Sequence, residues 1–151
     1  MTQGLYLEDL VVGQVFRAGE VIVTAEEIVR FARDYDPQYF HLDAEAAKSS
    51  MFGGLVASGW LTAALTMRML IEGGAPFAGG AIGAGGELAW PRPVRPGDSL
   101  RIESEVLKIT PSRSGSGRGI ATVKTTTFNQ KNEQVQILTA NLIVFTRPGQ
   151  A

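Results

Sequence analysis

Asp36 and His41 stand five positions apart in the stretch Asp36-Pro37-Gln38-Tyr39-Phe40-His41, and His41 is the only histidine in the chain. A carboxylate beside an imidazole can position a water and move its proton, because the imidazole titrates near neutrality. On one continuous helix, side chains five apart would point about 140° away from each other. Pro37 removes that obstacle. A residue before proline is pushed out of the helical region, so Asp36 is expected in an extended segment from which both side chains can converge. The plain alternatives are an aspartate that opens a turn and a histidine that only fills space.

The flanking elements must position this pair. Thr24-Ala25-Glu26-Glu27 has the spacing of a helix start, a hydroxyl followed by a carboxylate three residues on. The helix after it places Ile28, Phe31, Ala32 and Tyr35 on one face and stops at Pro37. Asp43 is a candidate cap for a short helix through Ala44–Ala47. Ser58 is a candidate N-cap for a long helix to Glu72, with Gly73-Gly74 as its stop. Trp60, Leu61, Ala63, Ala64, Leu65, Met67, Met69, Leu70 and Ile71 point in nearly every direction, so this helix is expected to be buried on most sides. Its N-terminus is expected to face Asp36 and His41. Free N–H groups there would stabilise a developing oxyanion, and Gly59 would leave the approach open. Tyr39 and Phe40 are expected to exclude water and raise the pKa of Asp36. Ser58 reads first as a cap and second as a substrate contact.

Short extended segments precede the first helix, at Val15-Phe16 and Glu20–Val23 around Gly19. After the long helix come a glycine-rich run, Gly79–Gly86, an extended Glu87–Trp90, and a proline-glycine turn over Pro91–Asp98. Leu100–Ile109 alternates, with Leu100, Ile102, Ser104, Val106 and Lys108 on one side. Ser112–Gly119 reads as a flexible connection. Ile120–Phe128 and Val135–Phe145 complete an antiparallel meander. The order implies an α+β fold, one antiparallel sheet wrapped on one long buried helix, as a single domain over residues 1–151.

Composition narrows the function. The net charge is −1 without a Lys/Arg run, so the footprint of a nucleic-acid binder is missing. There is no cysteine, which excludes thiol nucleophiles, disulfides and cysteine metal sites. One histidine makes a metal centre unexpected. No apolar run is long enough to cross a bilayer, and Met1–Asp9 is polar and acidic, unlike a secretory signal. A cytoplasmic location is therefore the expectation. Gly83-Ala84-Gly85-Gly86 lacks the nucleotide-binding glycine spacing and reads as a strand passing close to the helix.

Asp36–Asp43, together with Phe52-Gly53-Gly54-Leu55-Val56-Ala57-Ser58-Gly59-Trp60, resembles the MaoC-like acyl dehydratases. These are hotdog-fold proteins related to (R)-specific enoyl-CoA hydratases. Pro93–Leu100, Asn129-Gln130 and the last strand fit the same pattern, which covers about Tyr6–Arg147. The resemblance implies a single hotdog domain and a lyase of acyl-thioester, fatty-acid-type metabolism. The aspartate and histidine hold a water that adds to the β-carbon of a trans-2-enoyl thioester, or leaves in reverse. Those roles fall to Asp36 and His41, and the thioester oxygen would accept the Gly59 N–H. Tyr39, Phe40, Ser58 and Trp60 would line the substrate. No metal or separate cofactor is implied, coenzyme A or an acyl carrier being part of the substrate, and a homodimer with an acyl tunnel near its interface is expected. Two positions depart from the family pattern. Gln38-Tyr39 stand where Asn-Pro is common, and Ser58 or Leu61 stands where many relatives carry a second histidine.

Three rival functions make different demands on the sequence. A thioesterase would place an acid on or beside the central helix, where the first carboxylate is Glu72 at the far end. A serine hydrolase would need Ser58 in a Gly-x-Ser-x-Gly elbow, which is absent. A non-catalytic acyl-thioester-binding protein would show a tunnel in which Asp36 and His41 do not converge. Arg92, Arg95, Arg113 and Arg118 are candidate contacts for coenzyme A phosphates, against the plain reading of solvated surface.

Overall fold

The computed structural model describes residues 4–111, 113 and 115–149. The first three residues of the polar N-terminal segment, and Ser112 and Ser114 of the expected connection, lie outside the described residues. A single 3-10 turn, Leu7–Asp9, precedes strand β1 (Val15–Ile22). Helices α1 (Ala25–Tyr35), α2 (Tyr39–Leu42), α3 (Ala44–Ala47) and α4 (Gly59–Gly73) follow, then β2 (Ile82–Ala89), β3 (Ser99–Thr110), β4 (Arg118–Phe128) and β5 (Gln134–Phe145).

The five strands form one antiparallel sheet in the order β1-β3-β4-β5-β2. The meander is therefore β3-β4-β5, and the two earlier strands flank it as edges. The two expected segments around Gly19 are one strand. Gly19, at φ +124°, and the register shift before Val21 mark a bulge rather than a break. The alternation expected along β3 holds from Leu100 to Val106. A second bulge between Val106 and Lys108 then turns Lys108 outward, so its place on the inner face is corrected.

Helix α4 lies against the sheet and buries Leu61, Leu65 and Met69 beside Val23, Ile28, Leu100, Ile102 and Val135. Each such large apolar side chain contributes about 1.5–3 kcal/mol of burial. The rest of the helix departs from expectation. Its inner face also carries Thr62 and Thr66, both buried, while Trp60, Ala64, Met67 and Ile71 form an exposed stripe at helical spacing. The helix of the single chain is thus buried on one side and not on most sides. On α1, Ile28 and Ala32 are buried, but Tyr35 is 74% exposed, because the helix end runs past the edge of the core. The glycines of β2 also differ. No atom lies near where a Cβ would stand at Gly83 or Gly85, and at Gly86 that place is taken by the backbone of β5, not by the helix.

The loops that carry Asp36 and His41 are built by local capping. Thr24 Oγ1 accepts the Glu27 N–H at 3.1 Å, and the Asp36 N–H closes α1 on the Ala32 carbonyl at 2.9 Å. Asp36 then leaves the helical region, at φ −151° and ψ 68°. Asp43 Oδ1 accepts the N–H groups of Glu45 and Ala46 at 2.9 and 3.1 Å. Ser58 Oγ accepts the Trp60 N–H at 3.3 Å and starts α4. His41 sits on the single turn α2, not in open loop, and its N–H is fixed to the Gln38 carbonyl at 2.9 Å.

Candidate active site

His41 is 5% exposed and is held from both ends of its ring. Nδ1 lies 2.6 Å from the Val56 carbonyl, an acceptor only, so Nδ1 carries the hydrogen. Nε2 lies 3.2 Å from Asp36 Oδ2. The segment before α4 is itself pinned, by Val56 N–H to the Phe40 carbonyl at 3.1 Å and Ala57 N–H to the Val94 carbonyl at 2.8 Å. With Nδ1 committed, Nε2 is the atom free to exchange a proton. At 3.2 Å the two atoms are within direct hydrogen-bonding distance, so a single proton can be held between them.

Asp36 has two further partners. Gln38 Nε2 donates to Oδ1 at 2.6 Å, and the Ser58 hydroxyl also donates to the carboxylate. Burial is the largest single influence and acts to raise the pKa of Asp36. The Ser58 and Gln38 hydrogen bonds, with the charge of His41, together outweigh it, so the carboxyl ionises below its ordinary value of 3.8. The expected upward shift from Tyr39 and Phe40 is thereby reversed. Gln38, one of the two departures from the family motif, is what holds the outer oxygen of Asp36.

His41, Phe40 and Gly59 line one cavity of about 380 Å³, together with Phe52, Val56, Thr62, Trp90 and Arg92. Asp36 does not line it; it stands behind His41, with 19% of its side chain exposed. The Gly59 N–H, first of the helix, has no hydrogen-bond partner among the described residues. The reason for a glycine here differs from expectation. A Cβ would meet the Trp90 ring at 2.5 Å, so the space over Gly59 is taken by an indole and is not an open approach.

Of the other expected substrate contacts, Phe40 lines the cavity and Ser58 is buried against Asp36. Tyr39 is 50% exposed, edge-on to Phe40, and lies outside the lining. Trp60 is 59% exposed and packs edge-on against Trp90 at 5.1 Å, also outside the lining. The side chain one position into a helix leaves radially, while the cavity lies over the N-terminus and the inner face. Ser58 bonds Asp36, which is not the hydrolase pairing with His41. Glu72 is paired with Arg68 at 2.9 Å, remote from the cavity. Arg92 lines the cavity and pairs with Glu133 at 3.1 Å. Arg95 holds the Phe52 carbonyl at 2.8 Å. Arg113 and Arg118 line a different hollow, where β3 passes to β4.

Sequence reasoning missed Val56, Thr62, Trp90 and Gln136. Val56 acts through its carbonyl and leaves no mark in the sequence. Gln136, a buried amide within an apolar strand, was the one readable signal, and it accepts the Trp90 indole N–H at 2.9 Å. Among the described residues no group of three or more His, Cys, Asp or Glu is placed to hold a metal ion. No helix among them is long and apolar enough to cross a membrane.

The model of the MaoC like domain matches residues 9–129. The uncharacterised protein YdeM of Bacillus subtilis is 40% identical over 132 residues, covering 85% of this chain and 91% of its own. A crystal structure of a MaoC-like dehydratase from Rhodospirillum rubrum superposes with a TM-score of 0.93 at 56% identity, over 96% of this chain and 99% of that one. The (R)-hydratase PhaJ1 of Pseudomonas aeruginosa superposes with a TM-score of 0.73 at 28% identity, over 95% and 88% of the two chains. The sheet order and the long helix are those of a hotdog domain. The chain therefore belongs to the MaoC-like family of hydratases and dehydratases.

Proposed function

We propose that this chain adds water to a trans-2-enoyl thioester, or removes it from the 3-hydroxyacyl thioester, with the acyl group carried on coenzyme A or an acyl carrier and no other cofactor. A water held on the cavity side of the Asp36–His41 pair attacks the β-carbon and gives up one proton to this pair. The electrons of the double bond move onto the thioester oxygen, where the Gly59 N–H and the positive end of α4 stabilise the enolate. The proton then passes to the α-carbon, so that one water is added in total. Gln38 and Ser58 keep Asp36 ionised and turned toward the imidazole.

The observation that carries this reading is the 3.2 Å approach of Nε2 to the carboxylate beside a cavity that His41 and Gly59 share. This convergence favours the hydratase reading over a binding protein, in which the two side chains need not meet. The stripe of Trp60, Ala64, Met67 and Ile71, beside the unpaired edge of β2, fits a second copy of this chain in a homodimer.

The test is loss of enoyl absorbance with crotonyl-CoA, for wild type beside Asp36→Asn and His41→Gln. A fall of at least about 100-fold in each variant is expected for general acid–base catalysis. Full activity in either variant rules out the pair. Acyl-thioester binding without turnover on any enoyl substrate would instead favour the binding protein.

A further inference from the structure

Behind the cavity wall runs a chain of polar side chains that an enzyme of long apolar acyl groups would not need. The Trp90 indole N–H donates to Gln136 Oε1 at 2.9 Å. Gln136 Nε2 donates to Thr66 Oγ1 at 3.1 Å, and Thr66 Oγ1 lies 2.6 Å from Thr127 Oγ1. Gln136, Thr66 and Thr127 are completely buried. Trp90 lines the cavity, and Thr66 follows Thr62 by one turn of α4, so this chain closes the cavity on the side facing the sheet.

Thr62 is the one wall residue on that side with hydrogen-bonding capacity left over. It lines the cavity and is 2% exposed, and its hydroxyl has no partner among the described residues. No wholly buried side-chain nitrogen or oxygen among them lacks a partner. The Thr62 hydroxyl therefore opens on the cavity. A separate apolar cavity of about 90 Å³, lined by Phe16, Met67, Leu70 and Phe77 among others, lies farther along α4. It shares no lining residue with the first.

We propose that the acyl group is short and ends in a neutral polar group, a hydroxyl or carbonyl, received by Thr62 in front of the Trp90–Gln136–Thr66 chain. This rests on the hydratase reading of the same site. An alkyl tail running past Thr62 toward the sheet would part hydrogen bonds that have no water to replace them, and each buried group left unpaired costs about a factor of ten or more. An anionic tip is disfavoured, since the cavity's one arginine, Arg92, is already paired with Glu133 and Asp36 is close by.

The first test compares kcat/KM for 4-hydroxycrotonyl-CoA, crotonyl-CoA and trans-2-octenoyl-CoA. The two four-carbon substrates should exceed the octenoyl one by at least about tenfold, with the hydroxylated one highest. In Thr62→Val the ratio of hydroxylated to plain crotonyl substrate should fall at least about fivefold. Equal or better use of the octenoyl substrate, or an unchanged ratio in the variant, overturns the proposal while leaving the hydratase reading intact. Calorimetric binding of 4-hydroxybutyryl-CoA against octanoyl-CoA reads the same preference without turnover. A protein that turns over nothing yet binds the first at least about tenfold more tightly keeps this proposal and loses the hydratase reading. Binding without that preference overturns it.

Discussion

Ser58→Ala separates two functions that meet on one oxygen. Ser58 Oγ caps α4 through the Trp60 N–H at 3.3 Å and donates to the Asp36 carboxylate. Loss of an N-cap costs about 1 kcal/mol. A hydrogen bond to a charged group contributes about 1.5–3 kcal/mol. Asp36 keeps Gln38 and is 19% exposed, so water replaces part of the lost bond, leaving about 1 kcal/mol. The sum is about 2 kcal/mol at pH 7, or about 4–8 °C in Tm for a chain of this length. The two parts differ in their response to pH. The folded-state pKa of Asp36 is depressed, so its stabilisation is present above 3.8 and is lost as pH falls through the lower folded value. Ser58→Ala weakens that depression. Its penalty should therefore shrink in acid toward about 1 kcal/mol, the cap alone. Urea titrations of wild type and variant from pH 7 downward measure both. A penalty that stays constant into the range where Asp36 protonates, or one below about 0.5 kcal/mol at pH 7, would refute the assignment of Ser58 to Asp36.

Gln38→Ala removes the 2.6 Å donor to Asp36 and should move the acid limb of the kcat/KM profile upward, with a loss at pH 7 below about tenfold because Ser58 and His41 remain. An unmoved limb would make Gln38 irrelevant to the carboxylate. Gly59→Ala places a methyl 2.5 Å from the Trp90 ring and should destabilise by about 1–3 kcal/mol, with a shifted tryptophan emission spectrum. A neutral effect on both would mean the indole does not rest on Gly59. Light scattering at micromolar concentration should give the mass of two chains. Trp60→Glu on the exposed stripe should shift that mass toward one chain, and a wild-type monomer would exclude the homodimer.

Local sequence carried far into the site. Pro37 breaks α1 so that Asp36 and His41 can meet, and Ser58 starts α4. The proline-glycine turn and the apolar strands after it define the meander. These are short-range effects of backbone restriction, capping and period, and they act within a few residues. The same reading failed where a side chain's fate depends on what lies across the core. Sequence proximity groups Trp60 with the site, but the structure leaves it 59% exposed and gives the cavity to Trp90.

What the sequence by itself determined was the pairing of Asp36 with His41, the helix that starts beside them, and the sheet that carries it. Tertiary structure decided how that pair is tuned. The Val56 carbonyl that assigns the His41 tautomer, the serine that keeps Asp36 ionised, and the Trp90–Gln136–Thr66 chain behind the cavity join residues 15 to 70 positions apart. Such contacts are chosen by the packing of the whole core, because a buried polar group must find its partner wherever the fold brings one within reach.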